Sequence, residues 1–402
     1  MRRALVTLAV AAVCLPSTVA SAQARAEPPA AAEETVVGTA GAPVVEPAAL
    51  RVKRRSAGTT CTQPAAGTYD CLRPATAPAK SGMAATAIPN LPSFCHTADM
   101  AADRTRACQT DRYERVMTTL RNGVPVVTGG MDLRVTHLGE TSTTTGIWTY
   151  WFEATASNAW GAAVAGTTII ANAILANHCT LRSESFPDNA SLLPEGVTVS
   201  GSASIVTTVT QGVGNCTAAW VFWLSSPNYP LGNSGFEQLT DIRCDRATQG
   251  VSTTGCVVPW GEAVLEYDLD DYTTLAMHVL AAQESGLPGG REGDPLIRNE
   301  DPALRDINRA LACGDAPSVP GWACDEYPPA TSRQGLAAGG TRRTTRGGCM
   351  FLQLPRNVTG PTGVSVCMIL AGESSGQGGL HTQFFRRWRV IEGDPWRVGV
   401  IA

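Results

Sequence analysis

The run Cys324-Asp325-Glu326-Tyr327-Pro328-Pro329-Ala330 sets two carboxylates side by side, after a cysteine and just ahead of a double proline. Proline pushes the residue before it toward extended backbone, so Asp325 and Glu326 are expected at a fixed turn or strand end. A half-cystine at Cys324 would tether the same segment. Adjacent acids held this way are costly unless a cation or a proton is shared between them, and metal sites of hydrolases are often built so. The bland alternative is a solvated pair in a surface turn, where acids are commonly found.

The N-terminus carries a separate signal. Met1-Arg2-Arg3, the apolar run Ala4 to Leu15 and Ala20-Ser21-Ala22 read as a signal peptide over residues 1–22. Pro16 and Ser17 stop the run short of the roughly 20 apolar residues that a membrane span needs. The chain is therefore expected to be secreted and extracellular, with no membrane association after signal cleavage. Of the 13 cysteines, Cys14 leaves with the signal, and the even remainder suits an oxidising compartment. Near neighbours suggest Cys61–Cys71, Cys95–Cys108, Cys244–Cys256, Cys313–Cys324 and Cys349–Cys367, with Cys179–Cys216 left over, although spacing alone does not fix connectivity. Structural zinc is disfavoured, because there is no C-x-x-C and the chain has 5 histidines.

Residues 23–92 read as a disordered Ala/Pro-rich propeptide or linker. The basic cluster Arg51-Val52-Lys53-Arg54-Arg55 within it is either solvated linker or a processing site. Roughly 300 residues then remain, enough for two domains. The net charge of −4 argues against a nucleic-acid binder, but residues 298–402 hold 12 arginines, no lysine and 9 acids, a local charge of +3. Guanidinium forks suit phosphate oxygens, and +3 is a modest footprint.

The segment 93–123 shows apolar residues near helical spacing (Ala107, Tyr113, Val116, Met117, Leu120) and is expected as a disulfide-tied helix. Met131 to Leu138, Gly146 to Thr155, Val197 to Thr210 and Thr217 to Leu224 read as strands. Ala162 to Ala176 fits either a buried strand pair or a helix. Residues 93–265 thus form a β-rich, sandwich-like domain of unknown role. Its aromatics (Trp148, Tyr150, Trp151, Phe152, Trp160, Trp220, Phe222, Trp223) suit core packing better than a polymer-binding platform. Beyond 266 the reading is a helix over Tyr272 to Glu284 with Leu275, Ala276, Val279 and Leu280 on one face, and a second over Pro302 to Ala312. Strands are expected over Cys349 to Leu354 and Val364 to Leu370, then a Gly-rich turn, and Trp396 to Ile401 closes the domain.

Gly372-Glu373-Ser374-Ser375-Gly376 is a literal G-x-S-x-G, but a triad needs a helix, an acid and a histidine after it. Gln377-Gly378-Gly379 is a poor helix start, and His381 is too near to serve as base. The same glycines would let backbone approach a phosphate, with Glu373 and Gln377 supplying oxygens. Among the arginines, Arg309 and Arg386 are candidates for phosphate contact.

In this order, Ala276-Met277-His278-Val279, Asn308-Arg309-Ala310 with Cys313, Cys324-Asp325-Glu326-Tyr327-Pro328, and Gly376-Gln377-Gly378-Gly379-Leu380 with Phe384-Phe385 resemble the NucA/NucB family of secreted deoxyribonucleases, over about residues 266–402. The resemblance implies a small α+β domain of the ββα-metal nuclease type, using Mg²⁺ or Mn²⁺ to cut DNA with little sequence preference. It implies Asp325, Glu326, Glu373 and Gln377 as catalytic residues, with Asp325, Glu326 and Glu373 as metal ligands. Glu373-Ser374 departs from the acid-Asn pair common in relatives. Asp325 is the expected base. Two rivals are a non-catalytic polymer-binding or adhesion protein and a serine hydrolase acting through Ser374. No protein partner is predicted.

Overall fold

In the computed structural model, which describes residues 50–52, 58–75, 87–96, 99–347 and 349–402, Arg106–Arg121 and Val124–Glu140 form a long hairpin. It turns at Asn122-Gly123, with φ of 50° and 77°. Left-handed backbone at both central residues is what an Asn-Gly hairpin turn requires. The helix expected over 93–123 is therefore a strand, preceded by a short turn at Ser93–His96. Tyr113 and Met117, four apart, share one face of a strand as readily as one face of a helix. Between them Arg115 is fully buried and paired with Asp70 at 2.6 Å.

Asp70 sits on Thr68–Pro74, so part of the stretch read as linker is a strand beside Arg106–Arg121. The signal peptide, most of the expected propeptide and Lys53 to Arg55 lie outside the described residues. Ile147–Gly161, Thr198–Thr207 and Cys179–Ser185 extend the same sheet to nine strands. A second sheet of six strands is centred on Gly212–Ser225, flanked by Thr168–Asn177 and Ile242–Arg246. Thr168–Asn177 resolves the ambiguous run as a strand. The sheets face each other across one core, where Trp148, Tyr150, Phe152, Trp220 and Phe222 are buried. The Phe152 and Trp220 rings lie 5.4 Å apart, while Trp160 stays 51% exposed.

The C-terminal part begins with Ala263–Asp268, which pairs in parallel with the final strand Pro395–Ile401. Three helices follow: α1 (Thr273–Glu284), α2 (Pro302–Cys313) and α3 (Ala371–Arg387). Asp301 caps α2 by accepting from Ala303 and Leu304, and Pro302 stands where no donor is needed. On α1 the buried face is Leu275, Ala276, His278, Val279 and Ala282, and Leu280 is on the surface. Cys349 to Leu354 is a turn rather than a strand. The glycine-rich stretch expected as a turn lies inside α3, held by His381, Phe384 and Phe385 in the core. A Cβ at Gly376 would meet the Tyr272 ring at 2.9 Å, so a larger residue there would have to displace that ring.

All six expected disulfide pairs are formed. These bonds suit an extracellular protein. Among the described residues no helix is long and apolar enough to cross a membrane.

The β-rich and C-terminal parts are joined by buried charges. Arg389 reaches the Asp245 carboxylate at 3.0 Å and the Thr253 carbonyl at 2.8 Å. Its own carbonyl accepts from Arg104 at 2.6 Å and from Arg243. Asp394 pairs with both of those arginines at 2.5 Å. Removing one partner of such a network strands the other in low dielectric, at about 3–5 kcal/mol. Arg389→Ala is expected to lower unfolding stability by about that amount in urea titration. A loss under about 1 kcal/mol would show that Asp245 is satisfied without it.

Candidate functional site

Asp325 and Glu326 end the strand Trp322–Tyr327, which pairs antiparallel with Gly363–Leu370. The Cys313–Cys324 bond ties this strand to the last residue of α2. Successive strand residues point to opposite faces, so the two acids meet different neighbours. Asp325 faces α1 and α3. Its Oδ2 accepts from His278 Nδ1 at 2.7 Å, and its Oδ1 from Gln377 Nε2 at 3.0 Å. His278 is fully buried, and its Nε2 meets Ser365 Oγ at 2.9 Å, which meets Thr345 in turn. Both oxygens of Asp325 are thus held, one by a histidine fixed in the core and the other by a half-buried glutamine of α3.

Glu326 is 8% exposed, and its Oε2 is buried with no hydrogen-bonding partner. Burial, then the neighbouring Asp325 charge, pushes its carboxyl up to about 7, against the opposing pull of Arg309. Both acids line one cleft of about 420 Å³. Gln377, Arg309 and Arg386 line it as well, so five of the six residues singled out from sequence come together there.

Glu373 does not join them. Its Oε2 accepts from Thr274 Oγ1 at 2.7 Å and from Leu275 N at 2.8 Å. The residue preceding α1, Tyr272, offers no capping side chain. Glu373 therefore caps α1 from the neighbouring helix, where a carboxylate also complements the helix dipole. The expected metal ligand is a structural cap. The expected glycine loop is likewise corrected: within α3 those backbone N–H groups belong to a helix and are not displayed around an anion.

Several cleft residues were not singled out from sequence. Arg298 stacks over the Phe385 ring at 3.8 Å, and Arg305 lies nearby. Burial lowers Arg298 to about 10, so it stays charged at neutral pH. Thr248 and Gln249, from the β-rich part, form part of the wall, and Gln249 O accepts from Arg386 Nε at 3.1 Å. His381 bonds Tyr267 at 2.6 Å and Thr331 at 3.4 Å. Burial lowers it to about 4, so it is neutral at pH 7. The one sequence cue to the Ser365 support was a lone hydroxyl within the apolar run Val364 to Leu370.

No protein-family model, curated protein or solved structure matches this chain.

Glu326 binds its proton more tightly folded, near 7, than at its ordinary 4.5. Between those values the folded state holds more protons than the unfolded, so stability falls as pH rises through that window. In chelator-treated protein the urea midpoint should fall from pH 5 to pH 8, by up to about 3 kcal/mol in stability. Glu326→Gln, which mimics the protonated acid, should remove that slope. A slope unchanged in the variant would place the titration elsewhere.

Proposed function

We propose that the C-terminal part of this chain is an extracellular metal-dependent nuclease that hydrolyses DNA phosphodiester bonds with little sequence preference. The observation that carries this reading is Asp325, gripped at both oxygens, beside a buried Glu326 with one unpartnered oxygen, in a cleft with four arginines. The order Trp322–Tyr327, Gly363–Leu370, α3, two antiparallel strands running straight into a helix, supports the resemblance to ββα-metal nucleases.

The donor set fits a hard divalent cation, since both acids present oxygen to one cleft and one buried oxygen, Glu326 Oε2, has no donor. Mg²⁺ or Mn²⁺ held by Asp325, with Glu326 beside it, would neutralise phosphate charge and stabilise the leaving 3′ oxygen. His278 and Gln377 fix the orientation of Asp325, as the supporting partners of ligating carboxylates do. The role of proton acceptor passes from Asp325, whose two oxygens are occupied, to Glu326, whose affinity for a proton is matched to neutral pH. Arg309 and Arg386 are placed to bind phosphate oxygens, with Arg298 and Arg305 deeper in the same wall. Arg386 is held in place by Gln249, so the β-rich part shapes the substrate-facing surface.

Ser374 also lines the cleft, but the two nitrogens of His381 face Tyr267 and Thr331, so the serine-hydrolase reading lacks a base. The aromatics that an adhesion protein would expose are largely core.

Plasmid nicking measures the outcome. Asp325→Asn and Glu326→Gln should each slow it by about 10²–10⁴-fold in Mg²⁺ or Mn²⁺, and EDTA should abolish it in the unaltered protein. Full activity in both variants, or activity that survives EDTA, would sink the reading.

A further inference from the structure

A second cluster of metal-ligating groups lies inside the β-rich part. Asp111 and His137 stand on the adjacent strands Arg106–Arg121 and Val124–Glu140, and Glu237 on Ser234–Gln238. Asp111 pairs with Val135, so His137, two residues on, is its diagonal neighbour on the same face of the nine-stranded sheet. Glu237 pairs with Trp220 in the opposite, six-stranded sheet. The three side chains therefore meet across the interior. His137 is fully buried and Glu237 is 4% exposed. One donor atom from each lies within 4.8 Å of the others, and His137 Nε2 is 3.8 Å from Glu237 Oε2.

Each group is aimed by a second residue. Gln109 Nε2 donates to Asp111 Oδ1 at 3.0 Å, and Tyr113 OH donates to Glu237 Oε1 at 2.5 Å. Tyr150 OH donates its only hydrogen to the Glu237 carbonyl at 2.9 Å. The same hydroxyl lies 3.0 Å from His137 Nδ1. With Nδ1 on the tyrosine, Nε2 is the ring nitrogen turned toward Glu237. A ligating imidazole held by its other N–H, and ligating carboxylates held by their second oxygens, are how proteins orient metal ligands. Tetrahedral donors at about 2.1 Å from a metal stand about 3.4 Å apart, a few tenths of an ångström inside the His137–Glu237 separation.

We propose that Asp111, His137 and Glu237 hold a divalent transition-metal ion of the Zn²⁺ type, which bridges the two sheets. An imidazole beside two carboxylates suits Zn²⁺ better than Mg²⁺ or Ca²⁺. The proposal is independent of the nuclease reading. It runs against the sequence argument on zinc, which weighed the missing C-x-x-C and the 5 histidines, because these donors are far apart along the chain.

The test uses the full secreted chain carrying Asp325→Asn and Glu326→Gln, which disables the cleft as a competing site. Equilibrium dialysis against micromolar Zn²⁺, followed by elemental analysis, should find about one Zn²⁺ per chain, with a raised Tm. Adding Tyr150→Phe, which keeps the ring but removes the hydroxyl bonded to His137 Nδ1, should weaken Zn²⁺ binding about 10–100-fold, and His137→Ala at least as much. Should His137→Ala fail to fold, Tyr150→Phe and the visible absorption of Co²⁺ bound to the parent protein carry the test. No bound Zn²⁺ and no shift in Tm would overturn the proposal, as would unchanged affinity in the folded variants.

Discussion

The buried arginine–aspartate network around Arg389 holds the two parts of this protein together. Arg389 itself adopts φ of 49°, a left-handed conformation that costs a non-glycine residue about 1 kcal/mol. That backbone presents its carbonyl to Arg104 and Arg243 while its side chain enters the β-rich part to reach Asp245. Asp394 receives the same two arginines and accepts from the Ile391 backbone. These charges are worth keeping only together, because each would be costly to bury alone. Their consequence is positional. With the end of α3 anchored to the β-rich part, the stretch Thr248–Gln249 is brought to the rim of the cleft, where it orients Arg386.

The cleft shows a related division of labour. Strand alternation parts the side chains of Asp325 and Glu326 and gives them opposite surroundings. One is saturated with hydrogen bonds and the other is short of them. The same sequence pair thus becomes one carboxylate held at both oxygens and one whose carboxyl is pushed up to about 7 by burial. The disulfide at Cys324 and the strand partner Cys367, itself bonded to Cys349, hold the backbone under both.

Local covalent and turn chemistry could be read directly from residues. Cysteines close in sequence pair with each other because a short loop closes at small entropic cost. Helix α1 announced itself by the periodicity of Leu275, Ala276 and Val279, and α2 was expected over nearly its full length. Five of six candidate site residues converge because motif order tracks the strand and helices that frame the cleft. The misreadings are equally physical. Spacing of four fits both a helix and a strand, so Arg106–Arg121 was read wrongly, although Asn122-Gly123 carried the hairpin signal. The glycines of α3 argued for a turn, but burial of Phe384 and Phe385 outweighs glycine's weak helix preference.

Sequence was enough to assign disulfide chemistry, a β-rich first part and the acidic pair to a fixed turn or strand end, since each depends on neighbours a few residues away. Which atoms those acids touch, the diversion of Glu373 to cap α1, the burial of Arg115 and Arg389 as ion pairs, and the meeting of Asp111, His137 and Glu237 were set only when distant segments packed. Those outcomes turn on desolvation and on partners tens to hundreds of residues away, and no local pattern of residue types records either.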